Sequence, residues 1–179
     1  MPVTLEGEVA MGTVIHTMLA VTDADLRDGL TAALAVPRWV ADVASHAPFD
    51  SLDELRLVAH SEATPLAAAE IEQAIAHHPC IGEKPVGEGT AQALSRAEQG
   101  EATELAEELA AGNAAYEARF GRVFIIRAAG RTRAEILAEL NRRLWLDAAT
   151  ELVIVGEQLR DIALLRLETL FTPHSEGAQ

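Results

Sequence analysis

The sequence predicts an all-α fold: a single compact multi-helix domain with one long loop and one short extended segment. Three observations carry that expectation. Alanine and leucine, both strong helix formers, dominate a chain of 179 residues that is 49% hydrophobic. Apolar residues recur at spacings of three and four, and helix-start chemistry precedes most of those runs. Gly 12 and Pro 7 are too few for a disordered or fibrous chain, and the length fits one domain around one core.

Taken in order, Thr22 before Asp-Ala-Asp reads as an N-cap that opens a helix to about Ala35. Pro37 suits the first turn of a second helix, Arg38 to His46, which Ala47-Pro48-Phe49 breaks. Ser51 with Glu54 forms a capping box for a helix with Leu52, Leu55 and Val58 on one side. Thr64-Pro65 is expected to begin the next, with Leu66, Ala69, Ile71 and Ile75 inward, ending at His77-His78 because Pro79 disfavours helix before it. Two prolines and three glycines between Pro79 and Thr90 then predict a loop of about a dozen residues, a length more often functional than decorative. Helix resumes near Ala91, is weakened at Gly100, runs from Glu101 to Arg119 and ends at Gly121. Val123-Phe124-Ile125-Ile126 is a buried extended segment; no second strand is evident to make it part of a sheet. Thr132 with Glu135 caps a helix through Trp145, and Asp147 caps the last, which reaches Phe171. The domain spans 1–171, and the tail 172–179 is expected to fray.

The charge balance excludes whole classes of partner. Lys+Arg 14 against Asp+Glu 28 leaves −14, a poor match for nucleic acid or an anionic membrane, both of which select clustered Lys and Arg. No segment approaches the roughly 20 apolar residues of a membrane span. The N-terminal octet lacks a basic n-region, and the single cysteine, Cys80, forbids an intramolecular disulfide, so a cytoplasmic location is expected.

Three polar residues stand out. Arg166 lies four residues from both Ile162 and Leu170, on the stripe that Leu152, Val155 and Leu159 begin in the last helix. It is either a snorkelling or ion-paired structural arginine, or an anion-binding arginine in a pocket. His78, at a helix end and the mouth of the long loop, either complements the helix dipole or moves protons near neutral pH. Glu98 in Ser95-Arg96-Ala97-Glu98-Gln99 is a capping-box or solvated glutamate unless the fold brings it to a site. His77 and His78 point about 100° apart, and no Cys/His framework accompanies them, so no metal site is expected. Gly82, Gly87 and Gly89 fit neither a P-loop nor a dinucleotide motif.

The order of short motifs adds a resemblance. Pro37-x-Trp39-Val40-Ala41, Ala47-Pro48-Phe49, His78-Pro79-x-Ile81-Gly82, Ser95-x-x-Glu98-Gln99, Tyr116-x-x-x-Phe120-Gly121, Phe124-Ile125-Ile126 and Arg166-Leu167 follow one another over nearly the whole chain. Together they resemble the 2-oxo-4-hydroxy-4-carboxy-5-ureidoimidazoline (OHCU) decarboxylase family, whose reaction closes the urate-to-allantoin route of purine breakdown. The resemblance implies an all-helical homodimer that uses no metal or organic cofactor. It implies that His78 is the catalytic acid, with Glu98 and Arg166 as its catalytic partners. It implies substrate contacts at Pro79, at Ser95, Arg96, Ala97 and Gln99, and along Phe124, Ile125, Ile126, Arg127 and Ala128. The chain departs from the family pattern at Ala47, where arginine is frequent, and at Arg122, where an aromatic is frequent. Two other readings fit the residues alone: a helical interaction module in which His78 and Arg166 are structural, and a lyase or hydrolase acting on another ureido compound.

Overall fold

The computed structural model describes residues 19, 21–76 and 96–172, with side chains from 105 onward in the second stretch. Seven helices occupy them: α1 (Asp23–Ala33), α2 (Pro37–Ser45), α3 (Leu52–Glu62), α4 (Ala68–Ile75), α5 (Arg96–Phe120), α6 (Arg133–Arg143) and α7 (Ala148–Phe171). No strand is present among the described residues, as the all-α expectation requires. The long loop expected after Pro79 lies outside them.

The helix starts follow from their caps. Thr22 Oγ1 accepts from the Asp25 N–H at 3.1 Å, and Asp23 and Asp25 in the first turn complement the α1 dipole. Pro37 opens α2. Ser51 Oγ accepts from the Glu54 N–H at 3.1 Å, but the Glu54 carboxylate reaches back to the Asp50 N–H (2.6 Å), one residue beyond the expected reciprocal box. Thr132 and Glu135 close a full box at α6, and Asp147 accepts from the N–H groups of Ala149 and Thr150 at α7.

The α4 boundary differs from the expectation. Thr64 Oγ1 donates to His60 O, completing the end of α3, and the helix begins only at Ala68. Its N-terminus is set by Glu70, which accepts from the Ala67 N–H at 2.7 Å and from Arg38 Nε and Nη2 at 2.5 and 3.0 Å. The cap thus depends on an arginine in α2, which local sequence does not reveal. The α4 inner face is Ile71 and Ala74; Ala69, expected inward, is exposed. Gly100 does not interrupt α5, which is continuous from Arg96. Gly121, at φ 69°, ends that helix in the conformation glycine adopts without strain.

The core has two parts. In the larger, α7 packs on α1, α3 and α4 around Leu30, Trp39, Leu55, Val155, Leu159 and Leu167. The Trp39 indole N–H donates to Ala59 O at 2.9 Å, which fastens α2 to α3. In the smaller, α5 and α6 pair around Tyr116, Phe124, Ile126 and Leu140. Residues 123–128 run without turn or bend between the two. Ile125 enters the larger cluster, while Phe124 and Ile126 enter the smaller, the alternation an extended chain produces.

Candidate active site

The buried row of α7 keeps Val155 and Leu159 of the stripe the sequence suggests and departs from it at the other positions. Glu151, Val155, Leu159, Ala163 and Leu167, each four residues apart, face the core, while Leu152 and Ile162 are half-buried and Leu170 is 50% exposed. The two rows share Val155 and Leu159; at the other positions the packing of α1, α3 and α4 buries Ala163 and Leu167 rather than Ile162 and Leu170. Arg166 therefore flanks the buried face, in a half-buried row with Ile154, Gln158 and Ile162.

Its surroundings suit an anion. Arg166 Nη1 donates to Ala33 O at 3.1 Å, the carbonyl of the last residue of α1. Burial alone moves its pKa, and moves it down; no described carboxylate faces it to offset the desolvation. Its other N–H donors have no acceptor among the described residues. Of the two structural alternatives open from sequence, the ion-paired arginine is therefore not what the described residues show.

The extended segment meets the same flank of α7. The Arg127 N–H donates to Gln158 Oε1 at 3.0 Å. Gln158 and Arg166 are eight residues apart in one row, about 12 Å of helix rise. At the other end of the segment, Arg122 pairs with Glu72 of α4 at 3.2 Å, and the Arg122 Nε is buried without a partner among the described residues. Arg122, a departure from the family pattern, thus ties the segment to the helix that precedes His78. His78, Pro79 and Ser95 lie outside the described residues. Arg96, Ala97, Glu98 and Gln99 form the first turn of α5, of which the backbone alone is described. Among the expected site residues, the structure sets Arg166 and the Arg127 backbone along one helix flank, about two turns apart; it does not place His78 or the Glu98 carboxylate.

Sequence reasoning missed a buried ion pair behind that segment. Arg143 and Glu151 are both fully buried, with Arg143 Nε 2.8 and 3.1 Å from the two Glu151 oxygens. The Tyr116 hydroxyl donates to Glu151, and burial together with that carboxylate pushes the phenol pKa well up. Arg143 Nη1 donates to Ile125 O at 2.7 Å, and its guanidinium lies 4.6 Å from the Phe124 ring centroid. The missed signal was Glu151 itself, a carboxylate four residues before Val155 on an otherwise apolar row.

Comparison with known proteins gives these features a context. Residues 20–168 match the family model described as OHCU decarboxylase. The chain is 32% identical over 151 residues to 2-oxo-4-hydroxy-4-carboxy-5-ureidoimidazoline decarboxylase of Mus musculus, covering 80% of this chain and 84% of that protein. A crystal structure of OHCU decarboxylase in the presence of (S)-allantoin superposes with a TM-score of 0.65 at 28% identity, over 82% of this chain and 99% of that one. A crystal structure of (S)-allantoin synthase, at 18% identity, shares the fold, with a TM-score of 0.61 over 86% of this chain and 52% of that one. The match over most of the sequence and the agreement in fold together establish that this chain belongs to the OHCU decarboxylase family.

Proposed function

We propose that this chain decarboxylates 2-oxo-4-hydroxy-4-carboxy-5-ureidoimidazoline to (S)-allantoin and carbon dioxide. The observation that carries the reading is Arg166: a half-buried guanidinium, on the flank where Phe124–Ala128 meets α7, with no carboxylate to pair with among the described residues. Family membership supplies the substrate class.

The substrate's own bonding explains what the protein must add. Its carboxylate and hydroxyl share one ring carbon, next to a carbon in a C=N bond. When the carboxylate C–C bond breaks, the electron pair moves into that C=N system, so the electron sink is in the substrate. The former imine nitrogen takes up a proton, the hydroxyl proton leaves as the ring carbonyl forms, and a proton is delivered to one face of the ureido-bearing carbon. The protein's part is orientation, exclusion of water and placement of that proton. In this reading Arg166 holds an anionic or carbonyl edge through its planar fork. His78 exchanges the proton. Glu98 orients His78 or accepts from a ring or ureido N–H, Pro79 and the Ser95–Gln99 turn wall the site, and the backbone of Phe124–Ala128 pairs with the planar edge of the substrate.

The same reading makes the chain a cytoplasmic homodimer of one domain, 1–171, without nucleic-acid partners. Its charge of −14 and single cysteine support that, and no helix among the described residues is long and apolar enough to cross a membrane. Trp145, 88% exposed at the α6–α7 turn, offers apolar surface for a second copy.

The test uses freshly generated substrate and follows optical activity. Spontaneous decay yields racemic allantoin, and the enzyme yields the S form. His78→Ala is expected to abolish stereoselective turnover with the helical fold retained. (S)-Allantoin formation by His78→Ala at near wild-type rate would remove His78 from the mechanism.

A further inference from the structure

In an extended chain, residues two apart present their N–H and C=O groups to the same edge, and the residue between presents its groups to the opposite one. Between Phe124 and Arg127 the segment is engaged along one edge among the described residues; Ala128 O, where the chain turns away, accepts from the Arg131 N–H at 3.0 Å. Ile125 O accepts from Arg143 at 2.7 Å, and the Arg127 N–H donates to Gln158 at 3.0 Å. The intervening Ile126 is 3% exposed, yet neither its N–H nor its C=O has a partner among the described residues. Backbone groups of buried residues are nearly always paired, so that edge has unused hydrogen-bonding capacity.

The group that grips the first edge is itself locked. Glu151 accepts from Arg143 Nε and Nη2 and from the Tyr116 hydroxyl, while Arg143 also lies against the Phe124 ring. All three side chains come from different helices, α5, α6 and α7, and meet where the two parts of the core join. Such a network costs desolvation, and apolar side chains of similar volume generally hold a core as well. What apolar side chains cannot do is donate to Ile125 O.

We propose that Arg143, locked by Glu151 and Tyr116, acts with Gln158 as a backbone clamp. The pair are positioning residues that occupy the Ile125–Arg127 edge and so fix the Ile126 edge for the substrate. The assignment rests on the decarboxylase reading for the identity of that substrate. It adds residues to the reaction that touch neither the substrate nor the reacting atoms.

Two variants test the clamp. The triple change Tyr116→Phe, Arg143→Met and Glu151→Leu removes the network without leaving a buried charge. Gln158→Leu removes the second contact from a half-buried position and remains informative should the triple variant fail to fold. Three readouts apply: melting temperature, amide hydrogen exchange across residues 124–128, and KM and kcat for (S)-allantoin formation. The clamp predicts faster exchange confined to 124–128, a raised KM, and kcat/KM lower by about 10- to 100-fold in each folded variant, the loss expected for a strong hydrogen bond. Gln158→Glu, which keeps an acceptor for the Arg127 N–H, is expected to restore slow exchange. A purely scaffolding role predicts otherwise: KM unchanged, exchange at 124–128 unchanged in Gln158→Leu, and activity that follows the folded fraction. That pattern overturns the clamp. If the wild-type chain forms no (S)-allantoin, the decarboxylase reading falls, and exchange at 124–128 decides the clamp by itself.

Discussion

Arg166 shows how far a single side chain can be judged from its partners. A structural ion pair would leave a carboxylate beside it, whereas among the described residues the guanidinium has one carbonyl, Ala33 O, and burial that depresses its pKa. Arg166→Met gives up that one hydrogen bond and relieves a desolvated charge, terms of similar size, so the melting temperature is expected to stay close to wild type. Activity is expected to collapse. Loss of a shielded charged contact to substrate costs about 2–5 kcal/mol, roughly 30- to several-thousand-fold in kcat/KM. Arg166→Lys is expected to be nearly as damaging, because an ammonium cannot reproduce two parallel donors. Melting curves beside an allantoin assay on the two variants check this, and a fully active Arg166→Met protein ends the substrate role of this residue.

Helices in this chain are started by local chemistry and seated by contacts made elsewhere. Glu70, Glu135 and Asp147 each hold a helix start, and each has a carboxyl pKa below its ordinary value. For Glu70 the main cause is the Arg38 hydrogen bond, for Glu135 the Thr132 N–H, and for Asp147 the Thr150 hydroxyl. A depressed folded-state pKa adds stability above the unfolded value that is lost as pH falls through the folded one. Thermal stability is therefore expected to be level above about pH 5 and to fall below about pH 4. Asp147→Asn, which caps without a titratable charge, is expected to fall less steeply there; an acid limb identical to wild type would show that this cap does not contribute. Seating gives the opposite lesson at Gly112 in α5. Alanine there gains about 1 kcal/mol of helix propensity, but a Cβ would stand 2.5 Å from Leu140 Cδ2, and Leu140 is fully buried in α6. Overpacking costs about 1–3 kcal/mol, so Gly112→Ala is expected to be neutral to destabilising by up to about 2 kcal/mol. Denaturant unfolding measures it, and a gain of the full propensity term would mean that Leu140 moves freely.

For the molecule as a whole, the α5–α6 pair joins the larger body through residues 123–128, the Arg143–Glu151 pair and the Arg119 bond to Leu146 O at 3.0 Å. In the proposed reading the site lies along that junction, so that domain integrity and substrate binding would share the same contacts. Assembly is the property of the whole chain that the homodimer proposal addresses. Light scattering over a range of micromolar concentrations is expected to give twice the chain mass, and Trp145→Ser is expected to shift it towards one copy. A single copy at every concentration rejects the dimer; a dimer indifferent to Trp145→Ser places its interface elsewhere.

The sequence by itself determined the helical class, the caps at Thr22, Ser51, Thr132 and Asp147, the stop at Gly121 and the buried extended run at Val123–Ile126, because each rests on residues within a few positions of one another. It also set the order of motifs by which the family was legible before any geometry. Tertiary structure alone decided the start of α4, through Arg38 and Glu70; the burial of Ala163 and Leu167 rather than Ile162 and Leu170 in α7; and the grip of Arg143 on Ile125. Those three depend on which helix lies against which. Hydrophobic periodicity specifies that a face is buried, while the identity of the neighbour is fixed only when the whole core closes.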